Sequence, residues 1–467
     1  MSAPAYRLEP GCSDEAFEPD GSPRPLYREL LEELAQRDLV ELHQRVEAKV
    51  VGGGLTFGEG RPIPIDPVPR LIAGEEWEKL EIGLLQRARA LNAFIADAYG
   101  PQRIFDAGVV PRRLLETSSG YAPAMEGLLD SGVPAAMVAG LDLVRNQEGE
   151  LQVLEDNLRM PSGACYSLAI REIVEPELEG AVQPRELGGY LRKLGEAIRG
   201  AAPTGREEPF AVVLSEGPEN GAWYEHERVG RELDLPIVTP DQLEASRGRL
   251  FTRVANRRHQ VDVIYRRLDT DQITEPDGSP TALGELLLPA LRSGRLRCVN
   301  AFGTGLADDK LTHAYVERMI DFYLAEEPAL RSVPSYDLSD EVVREEAMER
   351  LGELVIKPRG GFGGHGVTIM PRASQQERKR ATEAVQQSPE DFIVQEPVAI
   401  SSHPTVCGDN LQPRRIDLRP FVISWGGGEA AMTGGLTRFA QGAGEMIVNS
   451  SQGGGCKDTW VVENPAG

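Results

Sequence analysis

Residues 353–367 read Glu353-Leu354-Val355-Ile356-Lys357-Pro358-Arg359-Gly360-Gly361-Phe362-Gly363-Gly364-His365-Gly366-Val367. Leu354, Val355 and Ile356 suit a short buried strand, which Lys357 closes and Pro358 stops. Five glycines then fall within seven residues: Gly360, Gly361, Gly363, Gly364 and Gly366. Without a Cβ, such a backbone can approach a ligand closely and point N–H groups at phosphate oxygens. Lys357, just ahead of the loop, would add a point charge for the same phosphates. A surface loop after an edge strand would use the same residues, so the stretch alone leaves both readings open.

Other constellations bear on the choice. Residues 136–144 are apolar, residues 146–149 are turn-forming, and residues 151–154 are apolar again, which predicts a β-hairpin. Asp142 falls on its first strand. Glu155 and Asn157, two apart on the second, share a face. Hard oxygen donors on one sheet face suit Mg²⁺, which takes few protein oxygens and fills its shell with phosphate and water. A charged rim on a solvated hairpin is the alternative. Lys310 follows a Gly303-Thr304-Gly305 turn and opens a helix beside Asp308 and Asp309. With Lys357 it would offset phosphate charge; otherwise it stands at a helix start that the two aspartates favour. The strand end at Gln395 and Glu396 could meet a base through its backbone and a ribose through its carboxylate, or be an ordinary strand end. Asp417 and Arg419 share a face, and Arg438, Asn449 and Lys457 follow at loop ends. They could neutralise a transferred phosphoryl group, or form strand-face ion pairs worth little each. Asn220, Tyr224, Glu225, His226, Arg266 and Arg267 lie in a separate stretch, where structural roles are preferred over contact with a second substrate.

A chain of 467 residues is too long for one simple core. Its 40% hydrophobic and 26% charged residues are ordinary for a globular protein. A net charge of −23 argues against non-specific nucleic-acid binding. No run of about 18 apolar residues marks a membrane span, and residues 1–25 lack the basic start and apolar segment of a secretory signal. A cytoplasmic location is the expected default. Five scattered cysteines without a CxxC spacing support neither a zinc site nor a disulfide frame.

In chain order, residues 1–25 are Pro-, Gly- and acid-rich and are expected as a disordered arm. Residues 26–110 predict a helical cap, with apolar residues at helical spacing from 27 to 50, a break near Asp38, and a second helix over 75–99. Residues 111–200 hold the hairpin as part of a lower lobe. Residues 205–300 alternate strand and helix and read as a Rossmann-like α/β unit. Residues 301–400 supply linking helices, at 308–326 and 340–351, and the upper lobe. Residues 401–467 complete the lower lobe, with strands at 416–424 and 430–438.

These pieces together resemble one family. The stretches are Leu154-Glu155-Asp156-Asn157-Leu158-Arg159-Met160-Pro161-Ser162-Gly163, Val355-Ile356-Lys357-Pro358, Gln395-Glu396, Asp417-Leu418-Arg419-Pro420-Phe421, and the run from Asn449 through Gly455-Cys456-Lys457-Asp458 to Trp460. They look like the circularly permuted ATP-grasp type 2 family, itself distantly similar to glutathionylspermidine synthetase, over nearly the whole chain. Cys456 stands where serine is expected. The resemblance implies an α/β fold with α+β lobes: a circularly permuted ATP-grasp, a Rossmann-like unit and an N-terminal helical cap. It puts metal ligands on Asp142, Glu155 and Asn157, the ATP lysines on Lys310 and Lys357, the phosphate loop on residues 360–366, and the hinge on Gln395 and Glu396. The permutation accounts for metal-ligand strands that precede the hinge by more than two hundred residues.

The implied activity is an ATP- and Mg²⁺-dependent ligase joining a small-molecule or peptide carboxylate to an amine, with no nucleic-acid or membrane partner. Arg419, Lys457 and Arg438 would stabilise the charge on an acyl phosphate. A phosphotransferase with a hydroxyl acceptor, and a nucleotide-binding protein without turnover, are the alternatives.

Overall fold

The structure, a computed structural model, describes residues 6–464 apart from 59, 130–131, 179, 181, 204, 269–271, 361–365, 443, 446–447 and 449–453. Gly361, Gly363, Gly364 and Asn449 therefore lie outside the described residues. A nine-stranded sheet forms the base of the molecule. Across it run Gly428–Ala431, Phe421–Trp425, Val138–Arg145, Asn410–Arg419, Leu436–Phe439, Gly455–Val462 and Ile65–Ala73. Ser402–Cys407 pairs with Asn410–Arg419, and Leu151–Asn157 pairs with Val138–Arg145. The pairs are antiparallel except Gly455–Val462 with Ile65–Ala73, which is parallel. Strands from both ends of the chain thus share one sheet, the arrangement a permuted order requires.

The predicted hairpin is present, and its second strand continues to Asn157. Asn146 and Gly149 close the turn, Gly149 with a φ of 86° that suits glycine. The strand expected over 416–424 is divided at Pro420, which has no N–H for a ladder.

The upper lobe is a four-stranded antiparallel sheet ordered Ser335–Asp337, Phe392–Gln395, Val355–Pro358, Thr368–Ile369. Helices Glu341–Glu349 and Gln375–Gln387 cover it, through a core that includes Leu351, Ile356, Val385 and Val394. The α/β unit has a parallel sheet ordered Arg297–Val299, Val263–Arg267, Ala211–Ser215, Ile237–Val238. It also carries an antiparallel sheet of Leu243–Ser246, Arg249–Val254 and Arg257–Val261, which its arginine-rich composition concealed. Leu250 and Thr252 alternate inward there.

The cap helices are Arg28–Leu34 and Leu39–Gly52, broken where expected: Asp38 accepts the Glu41 N–H at 3.0 Å and caps the second. Gly74–Ala98 buries Trp77, Leu84, Leu91 and Phe94. The single helix expected over 308–326 is instead a 3₁₀ turn, Thr304–Ala307, followed by Lys310–His313 and Val316–Leu324.

The expected disordered arm needs correction. Residues 6–25 pack against the large sheet, and only residues 1–5 lie outside the description. Asp14 bridges to Ser402, Ala16 is fully buried, and Glu15 takes two hydrogen bonds from Arg70 at 2.8 and 2.6 Å. The acidic composition suggested a disordered arm, but Asp14 and Glu15 have buried partners. Among the described residues no helix is long and apolar enough to cross a membrane.

Candidate active site

The hairpin sets the register of the site. Asp142 stands opposite Glu155, and Gly140 opposite Asn157. Asp156, between the two, turns to the other side, where it accepts from Arg87 at 2.6 and 2.8 Å and meets His313 Nδ1 at 2.7 Å. That buried group locks the strand to the helix Gly74–Ala98. Glu155 and Asn157 are left facing the upper lobe. No hydrogen bond or ion pair holds the Glu155 carboxylate among the described residues, and the buried Asn157 Nδ2 has no partner.

Asp142 is differently placed. Arg419 grips both its oxygens, at 2.5 and 2.7 Å, and Arg438 adds a bond at 2.9 Å. Arg438 also holds Asp417 at 2.9 and 2.5 Å. Burial alone would raise the Asp142 carboxyl, but Arg419 and Arg438 hold it well below the usual carboxylate range. The strand-face ion pairs that were one reading of these arginines are thus present. Arg438 Nη1 still has no protein partner among the described residues.

Two lysines come toward this face, Lys357 from the upper lobe and Lys310 from the helix Lys310–His313. Lys357 and Lys310 are each 7% exposed. Burial, with the like charge of Lys310, pushes Lys357 down to about 8, while Glu155 and Asp142 act the other way. Gln395, on the strand beside that of Lys357, donates to the Leu154 carbonyl, and Asp308, two residues before Lys310, accepts the Leu158 N–H, so both lysine segments abut the hairpin. Arg359 ties the two lysine segments together, since it pairs with Asp309 at 3.1 and 2.9 Å while Asp309 caps the helix that Lys310 opens. Gly360 and Gly366 mark the ends of the glycine loop; Gly366 has a φ of 74° and lies against Pro358, so a side chain there would clash.

Gln395 donates from Nε2 to the Leu154 carbonyl at 3.3 Å and to Ser335 at 2.9 Å, joining the hinge strand to the hairpin. The Glu396 carboxylate accepts from Tyr336 at 2.9 Å and Arg350 at 3.1 and 3.0 Å, which commits it to the lobe's edge. Lys457 is the expected residue that the fold keeps away from the site. It is fully buried on the opposite face of the sheet from Cys456 and its cross-strand neighbour Arg438, and its ammonium is held by Asp66 and by the carbonyls of Val68 and Pro404. Asp458 likewise accepts from Arg171 and Trp460, so this motif serves the core.

Several positioning residues carried little local signal. Asn300 clamps Val138 and Leu158 through three hydrogen bonds of 2.6–2.9 Å. Asp308 accepts the N–H groups of Leu158 and Arg159 at 2.6 and 3.1 Å. Arg266 and Arg267 hold the carbonyls of Arg159 and Pro161, and Glu225 accepts from the Gly163 and Cys165 N–H groups. The preferred structural reading of these three agrees with these contacts. Only the paired aspartates ahead of Lys310 could have pointed to one of these roles in advance.

These residues fit a magnesium nucleotide in a particular way. The two lysines and the glycine loop suit phosphates. Glu155 and the unpartnered amide end of Asn157 suit the ion. Asp142 is already neutralised by its arginines, and no group of three His, Cys, Asp or Glu among the described residues could hold a metal. Phosphate and water would complete the shell, as is usual for Mg²⁺.

The profile of the family described as circularly permuted ATP-grasp type 2 matches residues 69–440. An uncharacterized protein of Synechocystis is 38% identical, over 96% of this chain and 97% of its own length. An uncharacterized protein of Mycobacterium tuberculosis is 39% identical, over 96% of this chain and 84% of its own. A Frankia alni protein named "Putative glutamate–cysteine ligase 2-3" is 38% identical over 97% of this chain; the match spans 54% of that protein.

Proposed function

The chain belongs to the circularly permuted ATP-grasp type 2 family, and within it we propose an ATP-dependent ligase that joins a carboxylate to an amine through an acyl phosphate. The observation that carries the proposal is that the buried Lys357 and Lys310 sit on segments tied to the hairpin of Glu155 and Asp142, through Gln395 on the strand beside that of Lys357 and through Asp308 just ahead of Lys310. A ligase name on a relative that this chain half spans supports the reaction class.

Lys310, Lys357 and the N–H groups of the glycine loop bind and orient the ATP phosphates. Glu155 and Asn157 would hold Mg²⁺, which when bound neutralises charge on the β- and γ-phosphates. The substrate carboxylate attacks the γ-phosphorus and ADP leaves. The amine then attacks the acyl carbon, a C–N bond forms, the C–O bond to phosphate breaks, and the amine's proton departs to solvent. Arg438 offers a free N–H for charge that develops on the phosphoryl oxygens. Asp142 acts as a positioning residue, fixing Arg419 and Arg438. Most of the catalysis is then positioning and electrostatics, with the glycine loop excluding water from the intermediate.

The test is ADP and phosphate release over pools of amino acids, short peptides and polyamines. The ligase releases both products only when an acid and an amine are present together. ADP formed with a stable phosphorylated product would favour a phosphotransferase, and nucleotide binding without any turnover would favour a non-catalytic role.

A further inference from the structure

A cavity lies where three parts of the chain meet: the hairpin of Thr56–Phe57 and Arg61–Pro62, the loop through Met160 and Ser162 that leaves the metal-ligand strand, and the start of helix Trp223–Leu233 in the α/β unit. It is open to solvent, with a cavity volume of ≈ 180 Å³, below the roughly 300–1,000 Å³ of drug-sized ligand pockets and suited only to a small molecule. Phe57 and Met160 give it an apolar side; Ser162, His226 and Arg267 give it a polar one.

The polar side is built to donate. Arg267 is 3% exposed, and its Nη2 donates to Ser162 Oγ at 2.5 Å and to Glu225 at 2.9 Å, while its buried Nε has no partner. Ser162 Oγ, occupied as an acceptor, keeps its own proton to give. His226 Nδ1 meets Ser215 Oγ at 2.9 Å, and that oxygen already accepts the Gly217 N–H at 3.0 Å. Ser215 is fully buried and its proton has no other acceptor among the described residues, which assigns that proton to Nδ1 and the ring proton to Nε2, itself without a protein partner among the described residues. Burial, with the charge of Arg267 added, pushes His226 down to about 2, so the ring is neutral. The N-terminus of an eleven-residue helix opens on the same wall. Glu225 is consumed by Arg267 and two backbone N–H groups.

Ser162 also joins the cavity to the catalytic face. Its carbonyl accepts from Arg419 Nη1 at 3.3 Å, and Arg419 is the residue that grips Asp142.

We infer that this cavity anchors the acid substrate, an amino-acid- or dipeptide-sized molecule with two carboxylates: one is received by the His226 imidazole, the Ser162 hydroxyl and the charge of Arg267, while the other, the one to be phosphorylated, reaches the catalytic face. This rests on the ligase reading for the word substrate, while the binding itself can be measured without it. Phe57 and Met160 would line the aliphatic part of the ligand, and the β-hairpin carrying Phe57 would set its length.

The experiment uses the full chain and, as probes, each free amino acid and glycylglycine, followed by intrinsic fluorescence; Trp223 packs against His226 with ring centroids 6.1 Å apart. At least one probe should bind saturably without nucleotide. His226→Gln, Ser162→Ala and the cavity-filling Ala222→Leu should each weaken that binding by about tenfold or more, as loss of a hydrogen bond or of space requires. Affinity for a non-hydrolysable ATP analogue with Mg²⁺ should stay within about twofold, since the sites are separate. Circular dichroism confirms that each variant is folded, and the three different substitutions guard against one that is not. No binding by any probe, or folded variants that bind as wild type does, would overturn the inference. Turnover whose acid KM the variants leave unmoved would sink the cavity assignment and leave the ligase reading standing. Binding that the variants abolish, in a protein that never releases ADP, would do the reverse.

Discussion

Glu155 and Asp142 face each other in register, yet their surroundings assign them different work. Among the described residues Glu155 has no hydrogen bond or ion pair to lose, so Glu155→Gln should cost turnover by about 10²-fold or more and leave the melting temperature almost unchanged. Asp142→Ala would strand Arg419 and Arg438 beside a missing charge, a loss of about 3–5 kcal/mol for a buried pair, and should lower the melting temperature sharply. Thermal melts paired with ADP assays separate the two; equal melting losses would contradict the division. Lys357 permits a second test at this scale. Its ordinary value of 10.5 falls to about 8 in the fold, so near that pH the free protein holds it only partly protonated. Bound phosphates favour the charged form, so nucleotide binding should take up protons there, and affinity should fall as pH rises through that value. Calorimetry in buffers of different ionisation heat reads the uptake, and Lys357→Arg should remove it.

At the level of elements, the hairpin works because Gly140 is small. A Cβ there would lie 2.8 Å from Pro161 Cβ and 3.4 Å from Arg419 Cδ. Gly140→Val should cost about 1–3 kcal/mol as an overpacked site. It should also impair turnover more than nucleotide affinity, because it displaces the loop and the arginine but not the lysines. Unchanged turnover would show that the loop's position does not matter. Much of this element was legible in advance: two apolar runs and the turn at residues 146–149 are local signals, and they put Asp142 on one strand of a hairpin and Glu155 with Asn157 on the other. So was the strand Phe392–Gln395, found with the bounds its apolar run predicted. The fate of Lys457 was not legible. Strand parity puts it opposite Cys456, but only the fold says which face looks at the site, and its partner Asp66 is 391 residues away in sequence. A motif that carries a family resemblance can serve the core, as this one does.

Over the whole molecule, the permuted order makes distant segments mutually dependent. The segment of residues 6–25 closes over the large sheet through Glu15, which Arg70 and Arg145 both approach. Glu15 and Glu9 were not legible as buried or paired because their partners Arg70, Arg145 and Arg415 lie far along the chain. Burial would raise the Glu15 carboxyl, but Arg70 and Arg145 lower it from 4.5 to about 2. The unfolded chain therefore binds the extra proton between those values, and the stabilisation is complete above 4.5 and fades as pH falls toward 2. The stability difference between wild type and Glu15→Gln should be large at neutral pH and shrink through that window in urea melts; a difference that does not vary with pH would count against the pairing. The central claim is that two lobes close on ATP so that a carboxylate can be activated. Hydroxylamine supplied as the amine, with Mg²⁺–ATP and the pooled acids, tests this most directly. The account predicts hydroxamate formed in step with ADP by the wild type and by neither Glu155→Gln nor Lys357→Ala. ADP release without hydroxamate, or hydroxamate formed equally by both variants, would contradict it.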